Sequence, residues 1–324
     1  MRCGLSPRLQ KRYIRIPLDL KISYMKNKGI YFALVATVVS GFAIFINKFA
    51  GKAFGDSGVF TALKNIPVAI LFLGIICLPK FFKELKTLNR MQWLYLLLIG
   101  AVGGSIPFLM FFRGLTLTSA ASAAFVQKTL FIWVGLLAFF FLKEKLGRMQ
   151  VAAFGLLFLG NLVLGGFNFL KFGFGEALIL GATFFWSIEY ILAKKVLTNV
   201  SSEIVAWARM FFGSVILMVF LIATGRSGQI FTLSAAQAGW ILLSSAILFI
   251  YVFVWYKALK LEQASVVTCI LVPASLITTV LSGIFVTGKY SVELVIAGIL
   301  FAVSLVLLFK YRPQKTYVSA GETI

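Results

Sequence analysis

Four charged side chains lie inside stretches of sequence that are otherwise apolar enough to cross a bilayer: Lys64, Lys128, Glu189 and Arg209. A charge inside the hydrocarbon costs about 2.5 to 3.5 kcal/mol on insertion scales, so such residues are retained mainly where they serve function. An ammonium or guanidinium group binds anions, and a carboxylate binds a proton or an amino group. We therefore predict that these residues form the functional site or support it.

Lys128 is the strongest candidate of the three bases. It lies about 15 Å from the predicted end of its helix, near mid-bilayer, so its side chain must face the protein interior. Lys64 and Arg209 lie about 9 Å inside their helix ends, so we assign them structural or gating roles, with side chains that can extend outward to the interface. Three bases and one acid leave Lys128 without a partner, which a carboxylate-bearing substrate would supply.

Two roles remain open for Glu189, the only deeply placed acid. It could form a structural ion pair with Arg209, which lies at similar depth on the next helix. It could instead face a cavity and bind a proton or a cationic group. Aromatic residues on three predicted helices would complete the substrate site: Trp133, Trp186, Tyr190, Tyr251 and Trp255.

The composition requires a membrane to position these residues. The chain is 60% hydrophobic and 13% charged, with 34 Phe and a mean hydropathy of +0.98, so it cannot cover a water-soluble surface. Apolar runs long enough to span about 30 Å of hydrocarbon recur along its length. We predict ten spans, at about 30–47, 58–78, 92–112, 118–142, 149–169, 176–193, 204–225, 238–256, 264–287 and 292–308.

The basic residues orient these spans. With a cytoplasmic N-terminus, inside segments hold 22 of the 31 Lys and Arg residues, and outside loops hold 6. This asymmetry follows the positive-inside rule and predicts a multi-pass protein of the inner or plasma membrane with both termini cytoplasmic. The net charge of +21 therefore favours a lipid bilayer as partner, and not nucleic acid. The residues before Gly29 read as a basic tail against anionic headgroups, with Met25 as an alternative start.

Several chemistries are missing from the sequence. It has no His, and its three Cys residues show no metal-binding or disulfide spacing. It also has no phosphate-binding loop and no paired carboxylates within one span. We therefore expect neither an enzyme nor a bound metal or cofactor.

An internal repeat organises the chain. Phe112, Arg113, Gly114, Leu115 and Thr116 align with the residues 144 positions later, and Lys64 aligns with Arg209 145 positions later. Each half then holds five helices, and an odd number inverts the second half across the membrane. The predicted fold is an all-α membrane protein of ten transmembrane helices in two inverted five-helix repeats, 29–169 and 170–310, between tails at 1–28 and 311–324.

The chain resembles the EamA-type ten-helix proteins of the drug/metabolite transporter superfamily over about 26–312. The resemblance rests on the repeated steps Phe112–Leu115 and Tyr256–Leu259, the Leu142–Leu146 stretch, Pro273, and the glycines Gly155 and Gly298. It implies a central cavity lined mainly by helices one, three, four, six, eight and nine. Two departures stand out. Thr129 replaces a proline in helix four, and no acid matches Glu144 after helix nine.

Pro273 gives this cavity a predicted bend. A proline within a helix cannot donate to the carbonyl four residues earlier, here Cys269, and leaves an exposed acceptor. That bend is either a hinge or ligand contact, or a kink repaired by neighbouring groups. We include Pro273 and Thr129 among the predicted substrate-binding residues.

We expect a secondary transporter that moves a small polar metabolite by alternating access, with export of an amino acid or related carboxylate as the favoured case. Lys128 would bind the negative group, Glu189 an amino group or coupling proton, and Pro273 would gate. Alternatives are an organic-phosphate or hydrophobic-cation transporter, a lipid flippase, and a non-transporting scaffold, which a sealed interior would support. Monomer and homodimer both remain open.

Overall fold

The computed structural model describes residues 18–165, 172–288 and 291–311, with side chains from Lys28 onward. Within those ranges the chain is helical and contains no strand. Ten helical stretches are long and apolar enough to cross a membrane, which agrees with the predicted number of spans. Most of the two predicted tails, and the predicted boundary between the repeats at 169 and 170, lie outside the described residues.

The helices follow the predicted order, and three spans are each built from two helices. The bounds are α1 Leu18–Phe54, α2 Ser57–Ile76, α3 Pro79–Lys86, α4 Arg90–Gly104, α5 Ile106–Leu117, α6 Ala120–Lys128, α7 Leu130–Phe141, α8 Arg148–Gly165, α9 Phe174–Val196, α10 Ser202–Ala223, α11 Ala235–Leu261, α12 Ala264–Ile270, α13 Ala274–Ser282 and α14 Val292–Lys310. We call the membrane side where α1 begins the near face, and the side where it ends the far face.

Helix breaks divide the third, fourth and ninth spans. The third breaks at Ser105, two residues before Pro107, and the ninth breaks over residues 271–273, which include Pro273. The fourth span breaks at Thr129, 144 residues before Pro273, although Thr129 is not a proline. The two halves therefore share this break, although only the second has a proline there.

Helix packing follows the symmetry of an inverted repeat. The first span packs against the eighth (α1 with α11), and the sixth packs against the third (α9 with α4 and α5). The second packs against the seventh (α2 with α10), the fourth against the ninth (α6 and α7 with α13 and α12), and the fifth against the tenth (α8 with α14). If each span is replaced by the corresponding span of the other repeat, the contact of the first with the eighth becomes that of the sixth with the third. The other three contacts are unchanged by this exchange. The two repeats therefore enclose a shared interior.

Two glycines allow α4 and α10 to cross closely. A Cβ on Gly104 would lie 2.1 Å from the carbonyl oxygen of Arg209, and a Cβ on Gly213 would lie 2.5 Å from the carbonyl oxygen of Gly104. No side chain fits at either position, because both would meet backbone. This crossing brings the backbone of Arg209 against the third span.

The first span extends further than predicted. It was expected to end at Asn47, but α1 continues to Phe54 and includes Lys48. The Lys48 ammonium donates hydrogen bonds to the carbonyl oxygens of Leu115, at 2.6 Å, and of Thr118 at the end of α5. Those carbonyls lie at a helix end and have no partner within their own helix. They satisfy the Lys48 ammonium group, so α1 can continue through Lys48 at the far face.

Candidate functional site

A cavity of about 60 Å³ lies between the two repeats. The first, second, third, fourth, sixth, seventh and eighth spans contribute side chains to it, through α1, α2, α5, α6, α9, α10 and α11. The predicted set of helices is therefore wrong in part, because the second and seventh spans line this cavity and the ninth does not. The two added spans carry Lys64 and Arg209, which are both cavity-lining residues.

Lys64 points into this cavity from α2. Its side chain is 1% exposed, and its ammonium nitrogen lies 3.7 Å from the ring centroid of Phe112 and 5.2 Å from that of Phe108. Among the described residues, no carboxylate lies within ion-pair distance of it. The suggested outward extension of Lys64 is therefore wrong, and the base is held by aromatic faces inside the protein.

The local structure of α2 supports this position of Lys64. Pro67 lies one turn further along the same helix and cannot donate to the carbonyl of Leu63. The Ser245 hydroxyl on α11 donates to the adjacent Lys64 carbonyl oxygen at 2.8 Å. A side chain of the second repeat thus fixes the α2 backbone at the residue from which the Lys64 side chain projects into the cavity.

Arg209 also lines the cavity, and Glu189 lies behind it. The Nε atom of Arg209 is 3.9 Å from Glu189 Oε2, and its Nη2 atom donates to the carbonyl oxygen of Gly103 at 3.2 Å. The Tyr256 hydroxyl donates to Glu189 Oε1. Of the two roles left open for Glu189, this geometry is that of the structural pair. The suggestion that the Arg209 side chain extends outward is wrong, since Arg209 is only 1% exposed.

Gly103 is required for this arrangement. A Cβ at this position would lie 2.3 Å from Glu189 Cγ. Its carbonyl oxygen also accepts a hydrogen bond from Trp186 Nε1 at 3.0 Å. The third span therefore provides both the space for the acid and an acceptor for Arg209 and Trp186.

Lys128 is buried beside the cavity but does not line it. Its ammonium group donates to Ser40 Oγ and to Gln127 Oε1, both at 2.9 Å, and these two acceptors do line the cavity. In this structure, Lys128 is therefore connected to the cavity only through Ser40 and Gln127. The interior position was predicted correctly, since Lys128 is 1% exposed.

The predicted aromatic residues divide into two groups. Trp186, Tyr190 and Tyr251 line the cavity. Trp255 is fully buried behind them, 4.6 Å from the Tyr190 ring and 5.9 Å from the Tyr251 ring between centroids. Trp133 packs on Phe184 away from the cavity. Trp255 therefore holds the two tyrosines in place and does not meet a cavity ligand.

Thr129 and Pro273 also lie outside the cavity lining. The Thr129 hydroxyl donates to the carbonyl oxygen of Val126 at 2.7 Å. The carbonyl of Cys269 is not left exposed as predicted, because it accepts from the Val272 amide at 3.1 Å. At the same break, the Thr37 hydroxyl on α1 donates to the carbonyl of Ile270 at 2.7 Å. Both breaks are repaired internally.

Sequence reasoning missed nine cavity residues that carry no charge: Ser40, Ala43, Ile44, Asn47, Phe108, Phe111, Phe112, Gln127 and Leu248. Asn47 and Gln127 are amides inside apolar spans, so the reasoning applied to charged residues would have identified them. Phe112 begins the repeated step between the halves, but its ring gave no sign that it would contact Lys64.

Comparison with known proteins identifies the family of the chain. The model of the EamA-like transporter family matches residues 27–166 and 173–310, one match for each repeat. An uncharacterized transporter of Clostridium kluyveri is 26% identical over 300 residues, which cover 86% of this chain and 91% of the relative. An uncharacterized transporter of Methanothermobacter thermautotrophicus is 22% identical over 229 residues, which cover 68% of this chain and 66% of the relative.

A solved crystal structure shares the fold. Its chain superimposes with a TM-score of 0.64 at 17% identity, and the match covers 84% of this chain and 95% of that one. The family match spans most of the sequence and falls into two parts that correspond to the two five-helix repeats. The chain is a multi-pass membrane protein that belongs to the EamA-like transporter family, within the drug/metabolite transporter superfamily.

Proposed function

We propose that this transporter is a secondary carrier for small organic carboxylates, with amino acids and their relatives as the favoured substrates and export as the favoured direction. One observation carries the proposal. Two bases, Lys64 and Arg209, line the cavity, and Glu189, the one acid deep within the described spans, lies behind Arg209. The cavity therefore has an excess of positive charge that an anionic substrate would neutralise.

The location of the cavity supports alternating access. It lies between inverted repeats, as the substrate sites of many secondary transporters do. The aromatic walls of the cavity, which include Phe108, Phe111 and Trp186, would contact the apolar part of the substrate.

The alternatives fit the same cavity less well. A hydrophobic cation would be repelled by Lys64 and Arg209, since no carboxylate is among the cavity-lining residues. A scaffold would not need a cavity with buried bases between its repeats. An organic phosphate remains compatible with two bases, although helix nine contributes none to the cavity.

Protons are our proposed coupling ion. Among the described residues, Glu189 Oε2 and two nitrogens of Arg209, Nε and Nη1, have no hydrogen-bond partner. Glu189 can therefore bind a proton at Oε2 while the Tyr256 hydroxyl still donates to Oε1.

The proposal is tested by uptake into liposomes that contain the purified protein. Labelled amino acids, organic phosphates and quaternary amines are compared, each with and without an imposed pH gradient. We expect saturable uptake of at least one amino acid or carboxylate, and none of the amines. Uptake restricted to quaternary amines, or no saturable uptake of any anion, would exclude the proposal.

A further inference from the structure

Two lysines at opposite membrane faces fix the alignment of the first and sixth spans. Lys48 donates to the carbonyls of Leu115 and Thr118 at the end of α5. Lys194 donates to the carbonyls of Leu259, at 2.6 Å, and Glu262 at the end of α11. The two accepting segments are 144 residues apart and the two lysines are 146 apart. The first and sixth spans are therefore equivalent at an offset of 146.

The cavity contains a second equivalent pair of contacts, each between a cation and an aromatic ring. Lys64 Nζ lies 3.7 Å from the ring centroid of Phe112, and Arg209 Cζ lies 5.9 Å from that of Tyr256. The two cations are 145 residues apart and the two rings are 144 apart. Each repeat thus contributes one cation and one ring in corresponding places.

Only the second repeat adds an acid to this unit. Glu189 contacts Arg209 through Oε2 and accepts from the Tyr256 hydroxyl through Oε1. The residue 146 positions before Glu189 is Ala43, on α1. Ala43 lines the same cavity as Lys64 and Phe112. The first repeat therefore has a methyl group and open space where the second repeat has a carboxylate.

We infer that the carboxylate of the substrate binds in this space beside Ala43, where it contacts Lys64 as Glu189 contacts Arg209. The inference rests on the proposed function and names the subsite that it uses. Phe112 has no hydroxyl, so it cannot donate a hydrogen bond as Tyr256 does in the second repeat. Lys64 is therefore the donor to the substrate carboxylate. The bound carboxylate would complete the internal symmetry of the protein.

One unsatisfied acceptor lies next to this subsite. Asn47 is one helical turn from Ala43 on α1, and its Oδ1 atom is buried without a hydrogen-bond partner among the described residues. Its Nδ2 atom donates to the Ala43 carbonyl at 2.7 Å, which directs the amide oxygen elsewhere. Asn47 also lines the cavity, so Oδ1 can accept from a donor on the substrate, such as an ammonium group.

The direct test introduces the missing acid. Ala43→Glu places a carboxylate in the subsite, and Ala43→Gln is the matched control of equal size without charge. We expect Ala43→Glu to melt at a higher temperature than Ala43→Gln, because Lys64 gains a permanent partner. Acetate, compared with acetamide at equal ionic strength, should raise the melting temperature of the wild type and leave that of Ala43→Glu unchanged.

Other outcomes overturn the inference. It fails if Ala43→Glu is less stable than Ala43→Gln, if acetate does not stabilise the wild type more than acetamide, or if acetate stabilises Ala43→Glu as much as the wild type. Ala43→Asp and Ala43→Asn form a shorter matched pair, which decides the question if neither longer side chain allows folding.

A separate measurement distinguishes this inference from the proposed function. Uptake of the labelled amino acids into liposomes is measured for Lys64→Gln beside the wild type. If Lys64→Gln loses uptake but acetate still stabilises Ala43→Glu, the subsite is wrong and the carboxylate carrier stands. If Lys64→Gln takes up every amino acid at the wild-type rate, the subsite at Lys64 is wrong and the carrier stands. If the wild type itself shows no saturable uptake of any amino acid or other carboxylate, the proposed function fails.

Discussion

The hydroxyl of Tyr256 donates a hydrogen bond to Glu189, and this contact fixes the carboxylate on the buried side of Arg209. Both residues of the ion pair are almost completely buried, at 0% for Glu189 and 1% for Arg209. A charge that loses its partner in such a place is costly, whereas losing one hydrogen bond costs less. Glu189 and Tyr256 should therefore respond to substitution to different degrees.

Removal of the Glu189 charge should destabilise the protein strongly. We expect Glu189→Gln to cost about 3–5 kcal/mol, the usual range when a buried pair loses one member, and Tyr256→Phe to cost about 1–3 kcal/mol. Thermal or denaturant unfolding in detergent measures both. Adding Arg209→Gln to Glu189→Gln should recover part of the loss. Equal melting temperatures for Glu189→Gln and the wild type would show that the ion pair does not hold the seventh span.

The lysine contacts at the two faces can be tested by paired substitutions. Lys194 donates to two carbonyls at the end of α11, and its neighbour Lys195 is exposed. Lys194→Met should destabilise the protein by about 1.5–3 kcal/mol, the usual value of a hydrogen bond to a charged group. Lys195→Met should change the melting temperature little. Equal effects of the two substitutions would contradict a specific contact at Lys194.

Glu144 joins the two repeats at the near face. Its carboxylate accepts from the amides of Ala264, at 2.9 Å, and Ser265, at 3.1 Å, at the start of α12. It therefore caps a helix of the second repeat from the loop after the fourth span. Glu144→Ala should cost about 0.5–2 kcal/mol and increase hydrogen exchange at those two amides. Exchange that stays at the wild-type rate would exclude the cap.

Lys128 and Lys64 should behave differently in transport. Lys128 donates only to neutral acceptors and does not line the cavity. A charge without an ionic partner is costly to bury, so removing the Lys128 ammonium group offsets the loss of its two hydrogen bonds. Lys128→Met should therefore keep its melting temperature and reduce amino acid uptake by less than about threefold, which is below 1 kcal/mol. A loss of uptake as large as that of Lys64→Gln would restore Lys128 as the substrate anchor.

The sequence predicted the fold because its signals are local. Span length and the repeat each depend on short stretches of chain, and the ten helices and the family match agree with them. The end of the first span was misplaced for a different reason. Lys48 stays helical only because the carbonyls of Leu115 and Thr118 lie opposite it, and that contact joins distant parts of the chain.

The site was harder to predict, because depth in a span does not determine the direction of a side chain. Lys128 was chosen for its depth, yet Ser40 and Gln127 separate it from the cavity. Lys64 was taken as peripheral, yet the rings of Phe108 and Phe112 hold it inside. The repeat already paired Lys64 with Arg209 at an offset of 145, but the offset of 146 that pairs Glu189 with Ala43 is seen only from the contacts of Lys48 and Lys194.

Amino acid uptake by Lys64→Gln in liposomes tests most directly whether Lys64 binds the carboxylate of the substrate. The control is Lys52→Gln, which removes an exposed lysine of the far face. Rates are normalised to reconstituted protein, and each amino acid is paired with its amide, which lacks the carboxylate. We expect Lys64→Gln to lower uptake of the carboxylate form about 10- to 100-fold, as expected for about 1.5–3 kcal/mol of charged hydrogen bonding, and Lys52→Gln to match the wild type. Equal uptake by Lys64→Gln and the wild type would contradict this role of Lys64.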